Sequence, residues 1–424
     1  MKKSYIIIAA AAAMFAACSD NDSIKQIGAE TNGNDAIAFS TFTNKQTRAE
    51  NSNALYTWAF LNNHTSFQVW GYKDVAPTDA VFKATKVTVS GEVESSTYAY
   101  DTLRFWDKTA EKYHFYAAAP ATPDGDNPAW KWTFVSTGIT NASTLNKGYF
   151  TTTSEITGVN LKNLANVGPG TQLSNYFKGQ ADIDKMIAAP CDFAKSRYAK
   201  PNPEAVQLNF NHILSKLNIT VRKGANISND LYVVKLKSFA VKNMQSKGDF
   251  SEEDPADATG TNARWDLTNY TTSTVDYVAL TNVTSLLNSQ NQPEFTVTNT
   301  DNYIVESLVI PQDIDFKKVA LDGKHHDAVL EEAEIDAVTT NTKPYFVITY
   351  TINDEVFTAY YNLAAAFGAT GAQNNDKIAF YEGWQNTLHI VINPDKIEFT
   401  ADVAEWSTYK NETVYVTEEE QQNP

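Results

Sequence analysis

The chain reads as an all-β protein built of sandwiches. Three observations predict this class. Short runs of alternating apolar and polar residues recur with turn residues between them, Phe, Trp and Tyr make up 12% of 424 positions, and almost no stretch keeps a helical period. Leu363 to Phe367 is at best one short helical turn. A hydrophobic content of 42% at this length supplies core for two domains.

The elements follow in order. Lys2 and Lys3, an apolar run from Tyr5 to Ala17, and Cys18 after the small pair Ala16 and Ala17 form an export signal. The apolar run is shorter than the ~20 residues a membrane-spanning helix needs. Phe15-Ala16-Ala17-Cys18 fits a lipobox, so residues 1–17 are expected to be removed and Cys18 to carry a lipid. A polar stretch to Asp35 reads as a tether. Ile37, Phe39 and Thr41 then share one face of a first strand, Ala36 to Phe42. The polar run Thr43 to Asn53 has the character of an exposed loop, where Arg48-Ala49 offers a trypsin-like cleavage site.

Further strands are expected at Ser66–Tyr72 and Lys86–Ser90, and Thr97–Trp106 and Lys112–Ala119 read as a hairpin about the Asp107–Glu111 turn. Trp130 and Trp132 sit two apart and are expected on one face. Thr140 to Lys178 reads as a long loop insertion. Pro201-Asn202-Pro203 is a stiff connector and the expected domain boundary. Beyond it, Val206, Leu208 and Phe210 share a face, as do Leu217, Ile219 and Val221, and strands continue to Lys396–Val403.

Charge and motifs narrow the function. With 50 acidic against 34 basic residues the net charge is −16, which argues against nucleic acid or an anionic headgroup surface as partner. Once Cys18 is lipidated, Cys191 is the single remaining thiol, so no intramolecular disulfide forms. The six histidines lack zinc-site spacing, and no nucleophile elbow, phosphate loop or dinucleotide fingerprint occurs, so no catalytic residue, cofactor or metal is expected. His325-His326-Asp327 reads as a solvated loop and Asp124-Gly125-Asp126-Asn127 as a turn. Trp130 and Trp132 have the residue types for stacking on a sugar, though packing is their commoner use.

Several blocks together resemble the fimbrillins, subunits of the lipoprotein-derived type V pili of Bacteroidetes. They are Tyr100 with Arg104-Phe105-Trp106, then Tyr113-His114-Phe115-Tyr116-Ala117 and Pro120; Leu208 through Leu217; Gly248-Asp249-Phe250; Ser307 through Gln312; and Ile397 through Trp406. Ser19-Asp20-Asn21-Asp22 behind Cys18 is similar to the surface-export signal of lipoproteins from the same phylum. The resemblance implies two transthyretin-like β-sandwich domains in tandem, at 49–202 and 203–406. It implies a precursor carried to the outer membrane and cell surface by its lipid, whose residues 18–48 an extracellular arginine- or trypsin-type protease removes by cutting between Arg48 and Ala49. Loss of the strand bearing Ile37 and Phe39 opens a groove that another pilin subunit fills. The tail, residues 407–424, is the candidate filler: extended at ~3.3 Å per residue it reaches ~60 Å, and Val414 and Val416 resemble Ile37 and Phe39 in spacing. A cut site together with a tail favours a stalk subunit over a tip or an anchor. The competing expectation is an uncut surface adhesin or glycan-binding lipoprotein that uses Trp130 and Trp132.

Overall fold

The computed structural model describes residues 35–43, 66–73, 80–90, 97–136, 148–156, 184–224, 227, 231–253, 264–279, 295–315, 344–367, 377–394 and 397–405. In chain order the strands are β1 (Phe39–Thr43), β2 (Ser66–Lys73), β3 (Ala80–Ser90), β4 (Thr97–Ala99), β5 (Lys112–Ala119), β6 (Thr133–Val135), β7 (Tyr149–Glu155), β8 (Met186–Ala194), β9 (Val206–His212), β10 (Ser215–Lys223) and β11 (Val234–Gln245). They continue as β12 (Lys247–Ser251), β13 (Trp265–Asp266), β14 (Thr274–Ala279), β15 (Phe295–Thr296), β16 (Asn302–Val309), β17 (Gln312–Asp315), β18 (Tyr345–Ile352), β19 (Glu355–Asn362), β20 (Lys377–Phe380), β21 (Trp384–Ile392) and β22 (Ile397–Glu405). Two single-turn helices, α1 (Lys195–Tyr198) and α2 (Leu363–Ala366), and a 3-10 turn at Thr268–Tyr270 complete the regular structure described. The fold is all-β, as the alternation of the sequence predicts.

Two compact units divide these elements. The first comprises the described residues up to Ala121, Ser136, Gly148 and Ala188–Asn211. It is one seven-stranded sheet in the order β1-β9-β8-β5-β2-β3-β4. The sheet curls until its two edge strands meet, where Thr41 Oγ1 lies 3.0 Å from the Tyr98 hydroxyl. Inside the curl, Phe67, Phe82, Tyr113, Phe115, Phe193, Tyr198 and Phe210 are each fully buried. Trp106 stacks on Phe193 and Tyr198 with centroids 5.1 and 4.7 Å away, and the Tyr198 hydroxyl donates to the Ala110 carbonyl at 2.6 Å. Aromatic rings are thus the filling of this unit, which is what the sequence's ring content supplies.

The second unit comprises Thr122–Val135, Tyr149–Ile187 and the chain from His212 onward, so far as described. Its four-stranded sheet β16-β10-β21-β22 faces the sheet β14-β11-β18-β19, on which β15 also pairs. Phe399 of β22 packs on Phe346 and Tyr361 at 5.7 and 4.8 Å, which is the seam of a sandwich. A further four-stranded sheet runs β13-β12-β7-β6, and β17 pairs with β20.

Four expectations need correction. The hairpin about Asp107 does not form: β4 pairs with β3 and β5 with β2. Asp107 does build the turn, accepting from Thr109 N and Oγ1, but Asp101–Trp106 leaves the sheet before reaching it. The long loop at 140–178 contains β7, whose inward face is Phe150, Thr152 and Ser154. Two hydroxyl residues on a buried face hid the alternation. Nor does Pro201-Asn202-Pro203 divide the chain. Glu204 N–H donates to Arg197 O, its carboxylate pairs with Arg197 and Lys200, and β9 beyond it completes the first unit, so the division falls after Asn211 rather than after Asn202. The second unit also takes 122–135 and 149–187, so the expected 49–202 block is not contiguous in space.

Candidate functional site: the seat of the first strand

The short strand β1 is alternating in sequence, and its place in the fold turns that alternation into a plug. Ile37, Phe39 and Thr41 point inward with 1%, 2% and 4% of their surface exposed, whereas Ala38 and Ser40 on the other face are half-buried. Phe39 sits at the middle, its ring ringed by those of Phe82, Tyr100, Phe115 and Phe67 at centroid distances of 5.3, 6.0, 6.0 and 6.1 Å, all edge-on. Edge-on contacts satisfy the ring quadrupoles on every side and fix the shape of the socket.

Backbone bonds grip the strand on both sides. On one side β1 pairs in parallel with β9, Phe39 opposite Val206 and Thr41 opposite Leu208, and Val206 N–H donates to Ala38 O at 2.8 Å. On the other, Ile37 N–H donates to Arg104 O at 2.8 Å and Trp106 N–H to Asp35 O at 3.0 Å. The Tyr100 hydroxyl donates to Ile37 O at 2.7 Å. Burial raises the Tyr100 phenol above its ordinary pKa, with the Arg104 backbone bond and charge opposing, which keeps that proton in place as a donor. The Arg104 side chain is fastened elsewhere, Nε donating to Val81 O at 3.1 Å and the guanidinium lying 5.8 Å from the Phe82 ring, so the rim has an anchor independent of β1. At the mouth Lys108 and Asp35 pair at 2.9 Å, both well exposed.

Emptying this seat is costly. Three inward side chains lose their cover at roughly 25 cal/mol per Å² of apolar surface, and each buried backbone group left without a partner costs ~1–3 kcal/mol. Among the described residues the seat is lined by aromatic and aliphatic side chains, hydroxyls and backbone groups.

Of the residues singled out by sequence, the structure places Ile37 and Phe39 at this seat. Cys18, Arg48, Ala49, Val414, Val416 and His325-His326 lie outside the described residues. The rim residues Tyr98, Tyr100 and Arg104 were not picked out as a site, although the aromatic stretch 97–106 carried their signal. Trp130 and Trp132 meet edge-on at 6.2 Å, but Trp132 is buried and the Lys185 ammonium lies 4.6 Å from the Trp130 ring. Both rings are thus engaged in packing contacts. Asp124-Gly125-Asp126-Asn127 is an exposed series of bends. Cys191 is half-buried and its thiol is pushed up to about 11 by burial. Among the described residues no group of three or more His, Cys, Asp or Glu side chains is placed to hold a metal.

The described residues form an all-β body whose first strand fills an aromatic-lined seat at a sheet edge. Comparison with known families makes this specific: the fimbrillin-like family model matches residues 47–406, and the chain belongs to that family. It is therefore a fimbrial or cell-adhesion protein of the cell surface. Among solved structures it is similar to a fimbrial protein from Bacteroides vulgatus, at 13% identity and a TM-score of 0.49, with 88% of this chain and 99% of that one covered. It is also similar to the C-terminally truncated tip fimbrial protein Mfa3 from Porphyromonas gingivalis, at 10% identity and a TM-score of 0.35, covering 82% and 96%. The comparison with curated proteins found no match.

Proposed function

We propose that this protein is a stalk pilin that polymerises by donor-strand exchange. The precursor is exported as a lipoprotein through Cys18 and held at the outer membrane. An arginine- or trypsin-type protease cuts between Arg48 and Ala49, and the tail of a second subunit, within residues 407–424, replaces the departing strand. One observation carries this reading. The first strand lies at a sheet edge in parallel with β9, held through a discrete set of inward side chains and backbone bonds that another strand can reproduce. The rim at Arg104 is secured to β3 by bonds that do not pass through β1, which supports a groove that keeps its shape during exchange.

The physical logic is that of an unstable intermediate. A vacated seat exposes Phe67, Phe82, Phe115 and unpaired backbone, so a cut subunit is driven to accept the nearest β-prone strand. The partners are accordingly other subunits of the same kind. The competing adhesin reading, an uncut lipidated monomer binding a glycan, gains nothing from Trp130 and Trp132 as they are packed.

Treatment of the purified full chain with an arginine-specific protease tests the proposal. We expect a product beginning at Ala49 and then a ladder of multimers on electrophoresis, with an Arg48→Ala variant remaining monomeric. A wild-type chain that keeps its N-terminal segment, or loses it and stays a stable monomer, would overturn the proposal.

A further inference from the structure

A strand entering the seat of β1 must fill three successive inward positions, those of Ile37, Phe39 and Thr41, each at least 96% buried. The middle position is enclosed by four aromatic rings, and the third lies against the Tyr98 hydroxyl. A carboxylate placed at any of the three would be taken out of water, against aromatic rings at the middle position and a phenol at the third, and that desolvation is costly.

The tail sequence offers two faces. One carries Lys410, Glu412, Val414, Val416, Glu418 and Glu420. Any three successive positions on it that include both valines also include Glu412 or Glu418. The other face carries Ser407, Tyr409, Asn411, Thr413, Tyr415 and Thr417 and meets its first charge at Glu419, so every triplet up to Thr417 is uncharged. On it, two triplets place an aromatic residue in the middle, Ser407-Tyr409-Asn411 and Thr413-Tyr415-Thr417. The first follows Glu405, the end of β22, too closely to leave chain for reaching another molecule. The second is β-branched on both sides of its ring, suits a strand, and repeats the aromatic-then-threonine order of Phe39 and Thr41.

Resting on the donor-strand reading above, we infer that Thr413, Tyr415 and Thr417 of a second copy enter the seat in the places of Ile37, Phe39 and Thr41, the face opposite to the Val414 and Val416 pair. Tyr415 stacks edge-on among Phe67, Phe82, Tyr100 and Phe115, and Thr417 meets the Tyr98 hydroxyl as Thr41 does. Val414 and Val416 take the half-buried outer positions of Ala38 and Ser40.

The test uses the full chain treated with an arginine-specific protease, with multimer yield measured by electrophoresis and each monomer's thermal melt as a folding control. Tyr415→Ser is expected to lower the yield at least tenfold, Tyr415→Phe to retain it, and the double variant Val414→Ser with Val416→Ser to stay within twofold of wild type. If the valine double variant fails to assemble while Tyr415→Ser assembles normally, the face assignment is wrong and the donor-strand reading stands. If a chain ending at Trp406 still forms the ladder, the tail is not the donor and both fall.

Discussion

The two units solve the same problem of burying many short strands in different ways. The first fills its curled sheet with rings, with His114 buried against Asp192 at 2.5 Å, and its first strand is seated by apolar, hydroxyl and backbone contacts. The second buries ionisable side chains. Lys185 is 3% exposed, with its ammonium donating to Thr153 O at 2.6 Å and Ser154 Oγ at 2.8 Å. Asp184 and His212 pair at 2.9 Å, both buried. Arg264 reaches Glu382 at 3.3 Å and lies 4.8 Å from the Phe250 ring, while Nε and Nη2 of the same guanidinium have no hydrogen-bond partner among the described residues. The lesson is a division of sensitivity. The strand seat is held by shape and area, with the Lys108–Asp35 pair at its mouth, whereas buried Lys185 and Glu382 make the second unit's stability titrate.

The largest effect that sharpens this contrast is expected at Phe39. Phe39→Ala should destabilise the first unit by ~3–5 kcal/mol in urea unfolding, with no pH dependence between 6 and 9 of its own. A loss below ~1 kcal/mol would show that the four rings close over the gap and that the seat is not built around one side chain.

Next in size is Lys185. Burial lowers its pKa from 10.5 to about 7. The unfolded chain therefore binds a proton between about pH 7 and 10.5 that the folded chain does not. Stability gains up to ~1.4 kcal/mol per pH unit as the pH rises across that window. Lys185→Met should flatten the rise, as read from denaturation midpoints at pH 7 and 10. An unchanged slope would mean that the ammonium is charged throughout.

Glu382 has the opposite sign. Burial pushes its carboxyl up to about 7, with Arg264 opposing and Glu252 reinforcing. The folded state thus keeps a proton between about 4.5 and 7 that the unfolded state releases, and stability falls as the pH rises through that range. Glu382→Gln should remove the fall, worth on the order of 1–3 kcal/mol by the upper pH. If the fall survives, another buried acid, with Glu252 first in line, carries it.

Smaller effects complete the comparison. Tyr198→Phe removes the donor to Ala110 O inside the first unit and should cost ~1 kcal/mol. Val356, 64% exposed on β19 of the second unit, should tolerate Thr within ~0.5 kcal/mol. A larger loss at Val356 would reveal a contact that the isolated chain does not show.

Sequence by itself determined which stretches are strands wherever one face is apolar and the other polar. Leu217, Ile219 and Val221, or Val206, Leu208 and Phe210, are buried together because period-two patterning leaves a strand no other way to hide them. It also determined the composition of the plug, since Ile37, Phe39 and Thr41 alternate with small residues. Tertiary structure alone decided which strand neighbours which. Asp101–Trp106 has the residues of a hairpin arm, yet it is drawn off to grip the backbone beside Ile37, because Arg104 and Tyr100 satisfy polar groups there. β7 was illegible because its inward threonine and serine are kept dry by partners distant in sequence, Lys131 O for Thr152 and Lys185 for Ser154. The boundary was illegible for a related reason. Prolines mark where a chain stiffens, but a unit ends where contacts end, and those of β9 run to strands far back in the chain. Patterning is local and survives in the sequence, whereas pairing is a choice among distant edges that only the assembled sheets can make.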